Sequence, residues 1–244
     1  MKLDFRGSTA LILGGSSAMG LELTRLLQDE GVDAIPTHAS PAGLDAIAET
    51  FPDLAGVSPR LNLADRTSYA SLDPVIDSGV AYLVDLAQAD HEGLLAAASK
   101  FDAESYFKAH VTGRLLLLKT VTRSMLAKGF GRLLHVSSTA AALPAPGQGF
   151  YATAKNAAES LYLSMGLELG GRGLTSLNLR LGLVDAGRGR RFLDAQNRRE
   201  ALAPRVLSTD QAAKTLCFLL SDQALGLTCT TITMDAGLSA QKFL

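Results

Sequence analysis

Thr9-Ala10-Leu11-Ile12-Leu13 runs directly into Gly14-Gly15-Ser16-Ser17-Ala18-Met19-Gly20, and then into a helical pattern with Leu23, Leu26 and Leu27 on one side. A short, wholly apolar run suits a strand buried on both faces, as in a parallel sheet. Gly14 and Gly15 permit a tight turn, and Gly20 permits close packing of the helix that follows. The first N–H groups of that helix have no intrahelical partner. Strand, Gly/Ser turn and helix together form the arrangement that cradles a pyrophosphate at a helix N-terminus.

The rest of the chain repeats the alternation. Strand patterns are expected at 9–13, 32–36, 55–61, 80–86, 132–137, 174–181 and 230–234, and helical patterns at 19–30, 43–51, 65–76, 102–127, 151–169 and 209–221. Such alternation implies βαβ units and a doubly wound α/β fold: a seven-stranded, mainly parallel sheet with helices on both faces. No Pro/Gly/Ser-rich linker interrupts it, so one Rossmann-like domain is expected over 1–244, with a lid about 185–207. Right-handed crossovers place the strand C-terminal ends on one edge. Gly14–Gly20, Asn62-Leu63, Leu86–Gln88, Ser137-Ser138 and Gly182–Val184 all fall there. Helices 102–127 and 151–169 carry apolar residues (Leu115 to Leu118; Leu161, Leu163, Leu167) in excess of what one core needs, which points to subunit packing.

Composition narrows the function. A net charge of −1 gives no global electrostatic case for nucleic acid. Cys217 and Cys229 have no metal spacing and suggest no disulfide framework; they read as small buried hydrophobes in a reducing compartment. No signal pattern and no apolar run of ~18 residues is present, so a cytoplasmic protein without a membrane span is expected, and no metal site.

The chemistry is carried by Tyr151-Ala152-Thr153-Ala154-Lys155, with Ser138 thirteen residues upstream. Tyr and Lys four apart share a helix face. A phenol of pKa ~10 is a poor acid or base at neutral pH until a nearby cation stabilises its phenolate. A Ser hydroxyl at a strand end can hold a substrate oxygen beside that phenol. The device interconverts a carbonyl and an alcohol.

The glycine turn and Tyr151/Lys155, about 130 residues apart, resemble the short-chain dehydrogenase/reductase family. The resemblance covers essentially the whole chain. Gly131–Ser138 looks like the family strand ending at the catalytic Ser, Gly147-Gln148-Gly149-Phe150-Tyr151 like the approach to the catalytic Tyr, and Phe218–Asp222 with Thr233–Gly237 like the closing helix and strand. Within the family the likeness is greatest to β-ketoacyl-[acyl-carrier-protein] reductases. The resemblance implies that Tyr151 donates the proton and Ser138 polarises the carbonyl. It gives Lys155 two tasks, lowering the Tyr151 pKa and holding the ribose. Ser137 competes with Ser138, but strand alternation separates the two and family spacing favours Ser138. Gln148 either lines the substrate mouth or is a solvent-facing loop amide.

For the cofactor, the resemblance implies Gly14, Ser16, Ser17, Met19 and Gly20 around the pyrophosphate. Thr37 and His38 fall at the adenosine ribose, Asn62 and Leu63 at the adenine, and Ala87, Val184, Tyr151 and Lys155 at the nicotinamide end. A carboxylate after the second strand would favour NAD. Here Ile35–Ser40 contains none, so NADPH is expected, with His38 either a phosphate contact or a solvated loop residue.

Departures from the family pattern collect around the cofactor. Ala18 replaces a Gly, Ser17 stands where a basic residue is usual, Asp85-Leu86-Ala87-Gln88 replaces N-N-A-G, and Leu181-Gly182 replaces Pro-Gly. His110 replaces an Asn whose carbonyl serves a proton relay; its ring is either part of that relay or structural. The basic stretch Arg188–Arg191 with Arg198-Arg199, and Arg172 and Lys128 beside Gly129, are candidates to meet an acidic carrier protein. The expected function is NADPH-dependent reduction of an acyl carrier protein-bound 3-oxoacyl thioester by a homo-oligomer, dimer or tetramer. The alternatives are a weakly active subunit in a hetero-oligomer with a paralogue, and a reductase of another small ketone.

Overall fold

A computed structural model describes residues 2–195 and 199–240. Six strands form one parallel sheet: β1 (Thr9–Leu13), β2 (Asp33–Pro36), β3 (Tyr82–Asp85), β4 (Gly131–Ser138), β5 (Leu174–Leu181) and β6 (Thr230–Met234), in the order β2-β1-β3-β4-β5-β6. The chain leaves β1 toward β2 on one side and returns to β3 on the other. The order therefore reverses between β1 and β3, which is where a doubly wound sheet opens a crevice beyond its strand ends. Ala10 and Ile12 join the core on one face, and Leu11 and Leu13 the core on the other. Burial on both faces explains why β1 is apolar at every position from Ala10 to Leu13 rather than alternating.

Helix α1 (Ala18–Asp29) begins at Ser17, whose side chain accepts the Gly20 N–H at 3.1 Å. Ser40 caps α2 (Pro41–Thr50) in the same manner, with Pro41 at the first helical position. The remaining helices are α3 (Asp73–Gly79), α4 (Lys100–Phe107), α5 (Arg114–Lys128), α6 (Gly149–Leu169), α7 (Gly187–Ala195), α8 (Arg199–Leu202) and α9 (Thr209–Leu220). A capping box at Ser208 and Gln211 starts α9. No described helix is long and apolar enough to cross a membrane.

Two expectations are corrected. The sheet has six strands rather than seven, because 55–61 contributes only a bridge, Arg60 beside His38. That bridge is one rung deep: the His38 N–H donates to the Pro59 carbonyl and the Leu61 N–H to the His38 carbonyl. The preceding rung would need the N–H groups of Pro36 and Pro59, and proline has none. The long helix at 102–127 is continuous but not regular. α4 and α5 are joined by a π-helical turn over Lys108–Gly113, which contains His110.

Candidate active site

β4 and α6 carry Ser138, Tyr151 and Lys155 at the C-terminal edge of the sheet. Ser138 is the last residue of β4, and its Oγ accepts the Ala140 N–H at 3.2 Å. Tyr151 lies in the first turn of α6. Burial pushes its phenol up, while the Arg188 guanidinium and a hydrogen bond with Ser138 pull it back. Ser137 is buried, and its hydroxyl has no partner among the described residues.

Lys155 is buried one turn further along α6, and its Nζ donates to the Val136 carbonyl at 2.6 Å. Burial, and then the Arg114 charge, push this ammonium down to about 7. The unfolded chain would therefore hold one more proton than the folded one between about pH 7 and the free lysine pKa of ~10.4. Stability should rise with pH across that window. Lys155→Met should flatten the rise, as read by denaturant unfolding at pH 7, 8.5 and 10.

The glycine turn is shaped by close approaches. Gly14 has φ +69° and passes the Ala87 backbone so closely that a Cβ would lie 3.2 Å from it. A Cβ on Gly20 would lie 2.5 Å from the Gly15 carbonyl, which explains why the helix can start this near the turn. Thr37 holds the turn from β2. Its Oγ1 accepts the Gly14 N–H at 3.1 Å and its carbonyl accepts the Ser16 N–H. Ser17 and Ala18 are exposed at the start of α1, where the first-turn N–H groups point outward. Met19 is half-buried against the core. The chemistry of the turn suits a pyrophosphate: backbone N–H groups and the exposed Ser17 hydroxyl, which itself accepts the Gly20 N–H, lie at the helix start, and Ala18 adds one exposed methyl.

Farther along the crevice, His38 is not a solvated loop residue. It is buried, and its Nδ1 donates to the Ser40 carbonyl at 3.1 Å. The start of α2 presses on it: a Cβ on Gly43 would lie 2.8 Å from Ser16 Oγ and 3.3 Å from His38 Cβ. The Asn62 side chain accepts the Ala64 N–H, and Leu63 is buried with its carbonyl bound to the Tyr69 hydroxyl. Gln148 braces its own loop, Oε1 accepting the Ala145 N–H at 3.2 Å. Val184 pairs with Leu207 by an isolated bridge.

Beneath the site lies a buried ion pair. Asp85, the last residue of β3, meets Arg114, the first residue of α5, at 2.6 Å, and both are fully buried. The guanidinium also donates to the carbonyls of His110, at 2.5 Å, and Ala87. Tyr162 donates to the Asp85 carboxylate at 2.9 Å. Burial alone would raise the Asp85 carboxyl; Arg114 holds it down at about 2. His110 is buried, with its ring packed on Tyr106. Burial and the Arg114 charge push it down to about 3. Its ring is therefore neutral at neutral pH, and its carbonyl is held by Arg114.

The profile of a family described as Enoyl-(Acyl carrier protein) reductase matches residues 14–239, nearly the whole chain. The chain is a short-chain dehydrogenase/reductase. It is similar to the 3-oxoacyl-[acyl-carrier-protein] reductases FabG of Vibrio cholerae, at 27% identity over 97% of this chain and 99% of that one, and of Haemophilus influenzae, at 28% over 96% and 98%. A solved structure of a short chain dehydrogenase/reductase family protein superposes with a TM-score of 0.83 at 26% identity, over 99% of this chain and 100% of that one. This short-chain dehydrogenase/reductase is thus an oxidoreductase, and its family implies a nicotinamide dinucleotide cofactor.

In this short-chain dehydrogenase/reductase, the altered motif segment is supported by a residue outside it. Asp85 departs from the family Asn, and Arg114 supplies the charge that a buried carboxylate needs. The sequence carried a signal for this: a carboxylate ends a fully buried strand, and a cation opens the run Leu115–Leu118. Gln88 is likewise committed, its Nε2 donating to the Tyr106 hydroxyl at 2.7 Å. The basic stretch on α7 faces acids of the segment after β3: Arg188 pairs with Glu92 at 3.0 Å, and Arg191 with Asp90. Arg198 lies outside the described residues, as do Gln196 and Asn197. Gly129 closes α5 in the left-handed region at φ +66°, where a side chain would be strained. Lys128 donates to the Ser78 carbonyl at 2.9 Å.

Proposed function

We propose that the chain reduces a 3-oxoacyl thioester, carried on acyl carrier protein, to the 3-hydroxyacyl form with NADPH. The observation that carries this reading is the Tyr151 phenol beside Ser138 at the sheet edge, next to an open glycine turn. Similarity to relatives named 3-oxoacyl-[acyl-carrier-protein] reductase supports the substrate class.

The cofactor would be held by Gly14, Ser16, Ser17, Met19 and Gly20 at its pyrophosphate, by Thr37, His38, Asn62 and Leu63 at its adenosine, and by Ala87, Val184, Tyr151 and Lys155 at its nicotinamide end. When bound, it supplies a hydride. Ser138 orients the carbonyl oxygen by hydrogen bonding, and the Tyr151 Oη proton moves to that oxygen. His110 is given no proton step, since its ring stays neutral and its carbonyl is occupied. Exposed Leu115, Leu116 and Leu167 on α5 and α6 fit a homo-oligomer built through those helices.

NADPH should be preferred over NADH, because no carboxylate follows β2 to repel a 2′-phosphate. His38→Asp should shift preference toward NADH, measured as the ratio of dissociation constants by calorimetric titration. Tighter NADH binding by the unaltered protein would overturn the assignment.

A second reading has its own support. Lys155 spends a bond on Val136, and the segment after β3 is filled by the Gln88 and Asp85 contacts. Both suit a weakly active subunit that assists a paralogue. Purified protein given NADPH and an acetoacetyl thioester separates the two: turnover by the protein alone supports reduction. NADPH binding without turnover, restored by a partner, supports the assisting subunit.

A further inference from the structure

We propose that Arg188, from helix α7, is a second cation that sets the acidity of Tyr151, beside Lys155, to which the family resemblance gives that task. The inference rests on the reading of Tyr151 as the proton donor. Arg188 Cζ lies 4.1 Å from the centroid of the Tyr151 ring. A cation this close favours the phenolate and lowers the barrier to giving up the proton. Its side chain is only 22% exposed, so water screens the interaction less than at an open surface.

The guanidinium is held in place by one carboxylate oxygen. Nε and Nη2 both donate to Glu92 Oε1, at 3.2 and 3.0 Å. The next turn of α7 is fastened by Arg191 on Asp90. The start of the helix is wedged as well: Gly187 has φ +46°, and a Cβ on Gly189 would lie 2.2 Å from the Val184 carbonyl. These glycines let α7 approach the end of β5 closely enough for Arg188 to lie over the ring.

Lys155 makes a bond of its own inside the protein. Its Nζ is tied to the Val136 carbonyl and faces the buried Arg114 charge. The groups facing Tyr151 are Arg188 from α7, Ser138 from β4, Asp90 from the segment after β3 and Tyr106 from α4. Asp90 acts against Arg188, but it is itself paired with Arg191. Acid/base competence at Tyr151 therefore depends on α7 being seated, although α7 is remote in sequence from α6.

The test titrates Tyr151 directly. A ring-fluorinated tyrosine, with a lower intrinsic pKa than tyrosine, is placed at position 151 and followed by fluorine NMR in full-length protein. In Arg188→Gln its titration should move up by about one pH unit, a tenfold loss of phenolate at fixed pH. Arg188→Lys should recover most of the shift, which also guards against a folding defect in the first variant. An unchanged titration in Arg188→Gln would overturn the inference. With unmodified Tyr151, the acidic limb of alcohol oxidation should move up by the same amount. A fall in kcat with no movement of that limb would reduce Arg188 to a structural role. Because the NMR readout needs no turnover, a protein inert toward acetoacetyl thioester whose titration still depends on Arg188 would sink only the reductase reading.

Discussion

Arg114→Met is expected to cost the fold about 3–5 kcal/mol, because it leaves the Asp85 carboxylate buried without its counter-charge. Domains of this kind hold only about 5–15 kcal/mol in total, so the loss is a large share of the whole. Tyr162 and the Ala87 N–H would still hydrogen-bond Asp85, and neither neutralises it. The acid response should change sign as well. In the unaltered protein Asp85 sits at about 2, below the unfolded carboxylate value of ~3.9. Its contribution is present above the unfolded value and is lost as pH falls through about 2. Without Arg114 the folded carboxyl is raised above the unfolded value, so acidification should relieve the variant where it weakens the parent. Asp85→Asn combined with Arg114→Met should recover most of the loss, since no lone charge remains. Urea unfolding of the parent, Arg114→Met and the double variant at pH 7, 4.5 and 2.5 tests this, the middle step reading the relief in the single variant and the last the loss in the parent. A single-variant cost under about 1 kcal/mol with unaltered acid dependence would mean the pair is not the buried support described.

Tyr151→Phe should lower turnover by on the order of 10²- to 10⁴-fold, the range in which a positioned general acid contributes. Its stability should move little, because the ring remains and only a hydroxyl bonded to Ser138 is lost. NADPH affinity should stay close to that of the parent, since the proposed reading puts most of the cofactor contacts on the glycine turn and the β2 end. Steady-state kinetics with an acetoacetyl thioester, beside a calorimetric NADPH titration, separate the two effects. A near-parental kcat would remove the phenol from the reaction. A parallel collapse of cofactor binding would show that the hydroxyl acts first on the ligand. The contrast with Arg114→Met is deliberate: one variant keeps the fold and loses the chemistry, and the other strikes the fold through a residue that touches no substrate.

Much of the architecture was readable because the signals are local. Thr9–Leu13, Gly14–Gly20 and the leucines of α1 are adjacent in sequence, and each states its own backbone preference. The strand at 55–61 failed because its pattern of apolar residues said nothing about the prolines on the two facing segments. The π turn in the long helix was equally invisible to hydrophobic spacing, since apolar residues continue through it although α4 packs on one cluster with Phe150 and α5 on another under the sheet.

By itself the sequence determined the doubly wound class and the edge at which the strand ends converge, because these follow from strand direction and helical periodicity; the association of Tyr151 with Ser138 came with the family resemblance. Only the tertiary structure decided which charges meet: Asp85 with Arg114, 29 residues apart, and Arg188 with Glu92, 96 apart. A charge in the sequence carries no address. Where it is buried, and what it faces, are set by packing between elements, and burial is what makes its partner matter.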